Sequence, residues 1–485
     1  MQAFHNIFAV ARYERMLLMR TTRFRILGSI GVALPLLIGI VLAVLEARGI
    51  EFSSALGMGA FIPFYVYSYL QAVVIAFIVG DFRAADERAE IHEVIAGRPV
   101  STAELVIGKY CGVVGAMLSL SLAVLVLTVA IQAAKISVLD SPFTLSPYLI
   151  YLLVMTVPAL IYMSALTFFL GSVLRQQTAV ALVTIAYALA VLFYLGKGYG
   201  GIWDFGAFFA PLFYSDIIGL GDLSRVIDQR LFYLALGLFF LGLSIERYPR
   251  LSQSLGWVWA GRGMVLGGIA MAAGLYQHMA VQDRTAEDYR ARLLAEEYRY
   301  ADVPAPQVEH YQLDLVLAEA DVPLQARARL LVYNFHDQAL DTLIFTLNPG
   351  LTLRAVEDSV GNALEWVRGD AVIRVATPLA AEAERTLTLV YDGDIDRQGF
   401  DLLRDETRLN KSKWPFIKGD LTAWIRDESV FLPPRSHWYP IAGVSYHPRD
   451  PIPPAFATAE ISVTVPAGLE VVTQGKPLAK EVEGD

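Results

Sequence analysis

VIGKYCGVVGAMLSLSLAVLVLTVAI, residues 106–131, contains a single charged side chain, Lys109, in a long apolar run. A helix needs about 20 mostly apolar residues to cross the hydrocarbon core of a bilayer. The run therefore predicts a membrane-spanning helix. Six other apolar runs in the first 280 residues predict six more spans, at residues 26–45, 60–80, 147–170, 179–195, 231–245 and 264–280. The sixth in chain order, 231–245, is the shortest.

The composition separates two kinds of object. The chain has 485 residues, 55% of them hydrophobic, which is too apolar for a soluble protein of this length. Residues 1–280 carry slightly more basic than acidic side chains, whereas residues 281–485 are strongly acidic. The only cysteine, Cys111, lies inside an apolar run, so the chain can form no internal disulfide. We expect an all-α membrane domain over residues 26–280, followed by a separate domain of another class.

Lysine and arginine predict the orientation, because they are enriched in cytoplasmic loops. Five arginines precede the first span: Arg12, Arg15, Arg20, Arg23 and Arg25. Basic residues then recur on alternate loops, including the loop of residues 81–105. We expect a cytoplasmic N-terminus and, with seven spans, an extracytoplasmic C-terminal half.

Residues 1–25 predict a helix at the cytoplasmic membrane interface. Phe4, Ile7, Phe8 and Ala11 form one apolar stripe at helical spacing, and Arg12 lies beside it. Such a pattern is typical of a helix that lies on a bilayer. A frayed basic tail is the alternative.

The charged stretch before residue 106, DERAEIHEVIAGRPVSTAEL (residues 86–105), predicts two helices with a break. Gly97 and Pro99 end the first helix, and Ser101 with Glu104 has the spacing of a capping box that starts the second. His92-Glu93 begins a zinc-peptidase signature, but position 96 is alanine, where the second histidine would stand. We therefore favour a docking surface over a metal site or a passive solvated turn. Its candidate residues are Glu87, Arg88, Glu90, Glu93, Arg98, Ser101 and Glu104.

This stretch resembles the loop between the second and third spans of ABC-2 type transporter permeases. The resemblance rests on Glu87-Arg88, Gly97, the run Pro99-Val100-Ser101, Gly108-Lys109 and, later, the turn at residues 171–175. It covers residues 1–260 and implies contacts of the interfacial helix and the loop with a separate ATPase subunit, and a second permease in a homo- or heterodimer. Since no G-x-x-x-x-G-K-[ST] loop occurs, ATP is expected on the partner chain, and this chain itself is expected to bind no cofactor. We expect the bacterial inner membrane as location, and no nucleic-acid partner.

The C-terminal half predicts a helical stalk over residues 281–302 and then β structure. Alternating polar and apolar residues predict strands at 310–317, 324–332, 343–347, 351–356, 386–391 and 459–465. The pattern indicates an all-β, antiparallel sandwich or saddle over residues 303–485, outside the membrane.

The β half resembles the N-terminal domain of M1-family aminopeptidases. The matching segments are residues 311–317, the Asn348-Pro349-Gly350 turn, residues 389–393, Trp438-Tyr439-Pro440 and residues 463–475. The zinc-binding H-E-x-x-H motif is missing, so we expect no catalytic residue and no metal site in this chain. Zinc would enter only with a catalytic domain beyond these residues, and we expect the chain to be a fragment of a longer protein.

Three functions stay open from the sequence. The first is the permease subunit of an ATP-driven transporter with an outer β domain. The second is the membrane-anchored leader of a zinc aminopeptidase, and the third is a binding module on a passive anchor. Seven spans and a structured loop exceed what an anchor needs, which favours the first.

Overall fold

A computed structural model describes most of the chain and divides it into two compact units, one of residues 1–283 and one that begins at Arg284. The described residues are 2–48, 55–79, 100–139, 144–174, 176–197, 201–207, 209, 212, 214, 219–220, 223–248, 255–319, 322–396, 423–426, 429–433, 436–444 and 456–481.

The first unit is helical. Its helices are α1 (Gln2–Arg20), α2 (Thr22–Ala47), α3 (Ala55–Val79), α4 (Thr102–Leu139), α5 (Ser146–Ile150), α6 (Val157–Leu174), α7 (Gln177–Phe193), α8 (Ser224–Arg247) and α9 (Leu255–Tyr300). A π-helical turn, Tyr151–Thr156, joins α5 to α6, and a short 3₁₀ turn follows α7. The last residues of α9 belong to the second unit.

Within the described residues, six helical segments are long and apolar enough to cross a membrane, which is compatible with a multi-pass membrane protein. The remaining predicted span, residues 179–195, corresponds to α7, which is shorter and ends at Phe193.

The span predicted at 231–245 is shorter than the helix that contains it, since α8 runs from Ser224 to Arg247. Its first two turns carry charged side chains that find partners in the fold. Arg225 forms an ion pair with Asp283 of α9 at 2.7 Å, and Arg230 donates to the backbone carbonyls of Asp204 and Phe205, each at 2.7 Å. A hydropathy pattern counts these charges against a span, although their partners allow the helix to continue.

Helices α8 and α9 pack backbone against backbone. A Cβ on Gly268 would lie 2.7 Å from the Phe239 nitrogen, and one on Gly242 would lie 2.9 Å from the Val265 nitrogen. Small residues allow the two backbones to approach this closely, which gives van der Waals contact between the helices.

The second unit contains eleven strands in its described part. They are β1 (Gln307–Glu319), β2 (Val322–Tyr333), β3 (Leu343–Thr346), β4 (Leu351–Asp358), β5 (Trp366–Arg368), β6 (Val372–Val375), β7 (Glu384–Gly393), β8 (Trp424–Arg426), β9 (Ser429–Phe431), β10 (Ile441–Ala442) and β11 (Thr458–Thr464). One sheet has the order β11-β1-β2-β7-β4, a second has β10-β3-β6-β5, and β8 pairs with β9.

Both larger sheets contribute to one core, as expected of a sandwich. Leu330 and Leu387 from the five-stranded sheet are fully buried in the same cluster as Phe345 and Ile373 from the four-stranded sheet. The six predicted strands are present. The five short strands β5, β6, β8, β9 and β10, of two to four residues each, were not predicted.

One pairing differs from the antiparallel prediction. β11 runs parallel to β1, with His310 opposite Thr458 and Val316 opposite Thr464. Strand direction depends on how the connection returns to the sheet, and the apolar pattern of residues 459–465 is the same in either direction.

The predicted Asn348-Pro349-Gly350 turn is held by a buried side chain. The Asn348 amide donates to the carbonyl of Ser436 at 2.9 Å and to that of Asp396 at 3.3 Å. Its oxygen accepts the N–H groups of Gly350 at 2.9 Å and of Asp396 at 2.8 Å. This one side chain therefore fixes three separate segments of the second unit.

Candidate functional site

The start of α4 carries the predicted capping box. The Ser101 N–H donates to the Glu104 carboxylate at 2.8 Å, and the Glu104 N–H donates to the Ser101 hydroxyl oxygen at 3.2 Å. The two bonds satisfy donors that the first turn of a helix leaves without partners. This local prediction is confirmed: the chain enters α4 at a fixed point, directly after the segment predicted to dock a partner.

Glu104 also joins the N-terminal helix to this point. The same carboxylate oxygen accepts a hydrogen bond from the Asn6 amide at 3.2 Å, and the Glu104 side chain is buried. The N-terminal helix α1 is thus tied to the first turn of α4 through a carboxylate that already caps it.

Beyond Glu104, α1 runs alongside α4 with glycines at the contact. A Cβ on Gly108 would lie 2.6 Å from the Val10 Cβ, and one on Gly112 would lie 2.8 Å from the Ala11 carbonyl oxygen. One turn further, a Cβ on Gly115 would meet only the Arg15 Cδ, at 3.7 Å. The first two contacts leave no room for any other residue, so the two helices touch closely over about one turn, from Gly108 to Gly112.

The predicted interfacial stripe divides between two faces of α1. The Ile7 backbone faces Gly108, and Ala11 lies against Gly112. Phe4 and Phe8 point away, with 81% and 68% of their surfaces exposed, and Arg12 is exposed as well. Part of the predicted stripe is therefore covered by α4, a helix distant in sequence, and not by a bilayer alone.

The predicted docking residues are only partly placed. Ser101 and Glu104 lie together in the capping box, next to Asn6 of α1. Glu87, Arg88, Glu90, Glu93 and Arg98 lie outside the described residues.

A second polar cluster, which the sequence analysis missed, lies in the helical unit around Asp204. This carboxylate is fully buried and accepts hydrogen bonds from the Tyr69 hydroxyl at 3.1 Å and from the N–H groups of Gly206 at 3.1 Å and Phe209 at 2.7 Å. Arg230, also buried, binds the carbonyls of Asp204 and Phe205. The available signal in the sequence was a pair of opposite charges, Asp204 and Arg230, between the spans predicted at 179–195 and 231–245.

The Asp204 cluster anchors the described part of the chain between α7 and α8. Tyr69 and Gly206 illustrate how closely it packs, because a Cβ on Gly206 would overlap the Tyr69 ring. Both oxygens of the Asp204 carboxylate accept hydrogen bonds, so its buried polar atoms are satisfied within the fold.

A third polar feature is the π-helical turn between α5 and α6. The side-chain amide of Gln71 in α3 donates to the carbonyl of Thr156 at 3.1 Å, and the hydroxyls of Ser68 and Thr156 lie 3.2 Å apart. Pro158 follows at once and has no N–H to donate to the preceding turn. Gln71, a polar residue inside a predicted span, thus donates a hydrogen bond to the backbone of a neighbouring helical turn.

The part of the chain that the structure describes holds no cluster of three His, Cys, Asp or Glu side chains that could bind a metal. The histidines of the β unit have local partners: the His310 Nδ1 lies 2.7 Å from the Thr458 hydroxyl, and the His336 Nε2 lies 3.0 Å from the Ala305 carbonyl. Burial lowers the pKa of His437 to about 4. Among the described polar contacts, those at the start of α4 tie two helices together.

Comparison with known proteins gives partial likenesses only. No family model matches the chain, and no curated protein matches it. Among solved structures, an M1 zinc metallopeptidase from Deinococcus radiodurans is 22% identical with a TM-score of 0.18, over 20% of this chain and 22% of that one. A variant of an M1 zinc metallopeptidase from the same organism, bound to a Tyr-Ser-Ala substrate, is 23% identical with a TM-score of 0.17, over 19% and 21%. The chain spans about a fifth of the length of these structures.

Proposed function

We propose that this chain is the membrane-spanning permease subunit of an ATP-driven transporter of the ABC-2 type, with its β unit outside the membrane. The proposal places the N-terminus in the cytoplasm and the chain in the bacterial inner membrane. It assigns a dimer with a second permease, and ATP binding and hydrolysis to a separate ATPase subunit.

The junction of α1 with the start of α4 carries the proposal. Helices whose backbones touch through glycines cannot slide past each other without a clash, so a displacement of α1 is passed to α4 at once. The buried Glu104 carboxylate adds a polar link between Asn6 and the end of the 81–105 segment. A passive anchor requires no such link between a cytoplasmic segment and a membrane helix, whereas a transporter driven from outside its spans does.

The segment of residues 81–105 supplies the other half of the proposal. Its charges exceed what a connection between two apolar helices needs, and it ends in the capping box. We assign Glu87, Arg88, Glu90, Glu93 and Arg98 to the ATPase-facing surface, with Ser101 and Glu104 as the fixed end through which it acts on α4.

The test is a reversal of charge on that surface. The full-length chain would be co-expressed with a candidate ATPase subunit, as wild type and as the double variant Glu87→Lys with Glu90→Lys. We expect loss of co-purification and loss of ATPase stimulation. Exposed charges contribute only about 0–1 kcal/mol to stability, so the fold should persist.

A matched control makes the same change of charge elsewhere. Glu287→Lys with Asp288→Lys alters two exposed acidic residues on α9 and should leave ATPase binding unchanged. Unchanged binding and stimulation in the Glu87 and Glu90 variant would refute the docking assignment. Zinc-dependent peptide hydrolysis by the full chain would instead favour the aminopeptidase alternative.

A further inference from the structure

The face of α1 that points away from α4 has a definite composition. Because Gly108 and Gly112 fix which side of α1 is covered, the opposite side is fixed as well. Large apolar side chains stand exposed on the uncovered surface of the helix: Phe4 (81%), Phe8 (68%), Tyr13 (61%), Leu17 (47%), Met16 (44%) and Met19 (39%). Water-facing helices of soluble proteins do not present such a series.

The charges on the uncovered face are all basic. Arg12 and Arg20 are exposed there, and the exposed Arg15 lies at the edge of the face, with its Cδ 3.7 Å from where a Cβ on Gly115 would stand. None of the three forms a hydrogen bond or ion pair with the residues that the structure describes. The only acidic residue of α1 is Glu14, and its Cβ lies against Gly112 on the covered side. The face therefore combines apolar and basic side chains and lacks any acidic one.

The position of α1 in the chain adds a third observation. α1 ends at Arg20, a single residue separates it from α2, and the candidate span begins at Thr22. Thr21 closes the junction, because its hydroxyl donates to the Leu18 carbonyl at 2.8 Å and accepts the Phe24 N–H at 3.2 Å. A junction this short keeps the end of α1 next to the point where α2 would enter a bilayer.

We propose that this face binds anionic phospholipid headgroups. Phenylalanine and methionine side chains insert at the boundary between headgroups and acyl chains. Guanidinium groups form paired hydrogen bonds with phosphate oxygens, and an anionic lipid adds net negative charge that a zwitterionic one lacks. A neutral bilayer would accept the apolar side chains but would leave three arginines without matching charge.

The proposal does not rest on an ATPase partner. It would hold for a permease, for an anchored enzyme leader and for a passive anchor, since it uses only α1 and its contact with α4. Its failure would leave the assignment of residues 81–105 untouched.

The experiment measures which lipid lies next to the face. In the full-length chain with Cys111→Ala, a cysteine replaces the exposed Ala9 and carries a bimane fluorophore. The protein is placed in nanodiscs of phosphatidylcholine with a quarter phosphatidylglycerol. In parallel samples, a small equal fraction of either lipid bears a nitroxide quencher. We expect phosphatidylglycerol to quench at least about fivefold more per labelled lipid, the factor that one arginine contributes at an anionic surface.

Variants identify the source of the preference. Arg12→Gln, Arg15→Gln and Arg20→Gln together should bring the two lipids to equal quenching, and the corresponding lysine variant should retain most of the difference. The control, with Arg284, Arg327 and Arg329 changed to glutamine, removes the same charge from exposed sites in the second unit and should keep the preference. High salt should reduce it, because exposed charges are screened.

Two results would overturn the proposal. The first is equal quenching by both lipids in the protein with its arginines intact, or a preference that survives their removal. The second is a bimane that neither lipid quenches but that an added ATPase subunit shields, which would make the face a protein interface.

Discussion

Replacing Gly112 by alanine should separate α1 from α4. The added Cβ would lie 2.7 Å from the Glu14 Cβ and 2.8 Å from the Ala11 carbonyl oxygen. One of these partners is backbone, so no rotation of a side chain can relieve the overlap. The clash can be removed only by moving the two helices apart, which also stretches the Asn6–Glu104 hydrogen bond of 3.2 Å.

The magnitude follows from two opposing effects. Overpacking of a tight contact costs about 1–3 kcal/mol. Alanine also favours a helix over glycine by about 1 kcal/mol, but this gain belongs to α4 itself and does not hold α1 in place. Gly115→Ala has the same gain without the clash, because its Cβ would meet only Arg15 Cδ at 3.7 Å. The difference between the two variants therefore isolates the cost of undocking, about 1–3 kcal/mol.

The assay is hydrogen–deuterium exchange of the full-length chain in detergent, with peptides from α1. A loss of about 1–3 kcal/mol should raise exchange of the α1 amides by a factor of about 5–150 relative to Gly115→Ala. A second readout covers the case in which α1 stays helical on the detergent: spin labels on native Cys111 and on a cysteine at position 9 should show a broader distance distribution in Gly112→Ala. Equal exchange and equal distances in both variants would refute the glycine contact and, with it, the transmission of motion from α1 to α4.

Three further predictions concern the β unit and the orientation of the chain. Burial lowers the pKa of His437 to about 4, whereas the unfolded chain binds this proton near pH 6.5. The free energy of unfolding should therefore be unaffected by His437 above about pH 6.5 and fall by up to about 3 kcal/mol as the pH drops to about 4. Urea unfolding of the full chain should show this fall, and His437→Asn should remove it. Asn348→Ala leaves several buried backbone groups without partners and should lower the free energy of unfolding by about 2–4 kcal/mol. Asn362→Ala, at an exposed turn, should change the urea midpoint little. Equal losses of stability in the two variants would refute the anchoring role of Asn348. A cysteine at the exposed Val472 should react with a membrane-impermeant maleimide in cells whose outer membrane is permeabilised, whereas one at Phe8 should not; the reverse result would invert the proposed orientation.

Much of the architecture is legible from the sequence because its patterns are local. Long apolar runs predict helices whether or not their neighbours are known, and residues 106–131 lie within α4 as expected. Period-two alternation predicts the long strands β1, β2 and β7, but it does not predict which strands pair with each other. The capping box of Ser101 and Glu104 needs only four residues, so it too could be predicted before any tertiary contact was known.

Other features depend on residues far apart in the chain. Glu104 meets Asn6 across 98 positions, and Asp204 meets Tyr69 across 135. A pattern along one segment cannot reveal such a partner. The charges of Arg225 and Arg230 even argue against the helix that contains them, since hydropathy counts their desolvation but not the carbonyls and carboxylate that compensate it.

The sequence by itself therefore determined the class of each segment: apolar helices in the first 280 residues, alternating strands after 306, and a charged segment between two apolar runs. Only the tertiary structure decided which face of α1 is covered, that β11 runs parallel to β1, and that glycines 108 and 112 lie at a helix contact while Gly115 does not. The physical reason is range. Hydropathy and capping act within a few residues of the chain, whereas close packing selects among glycines that look alike in sequence according to what lies within about 4 Å in space.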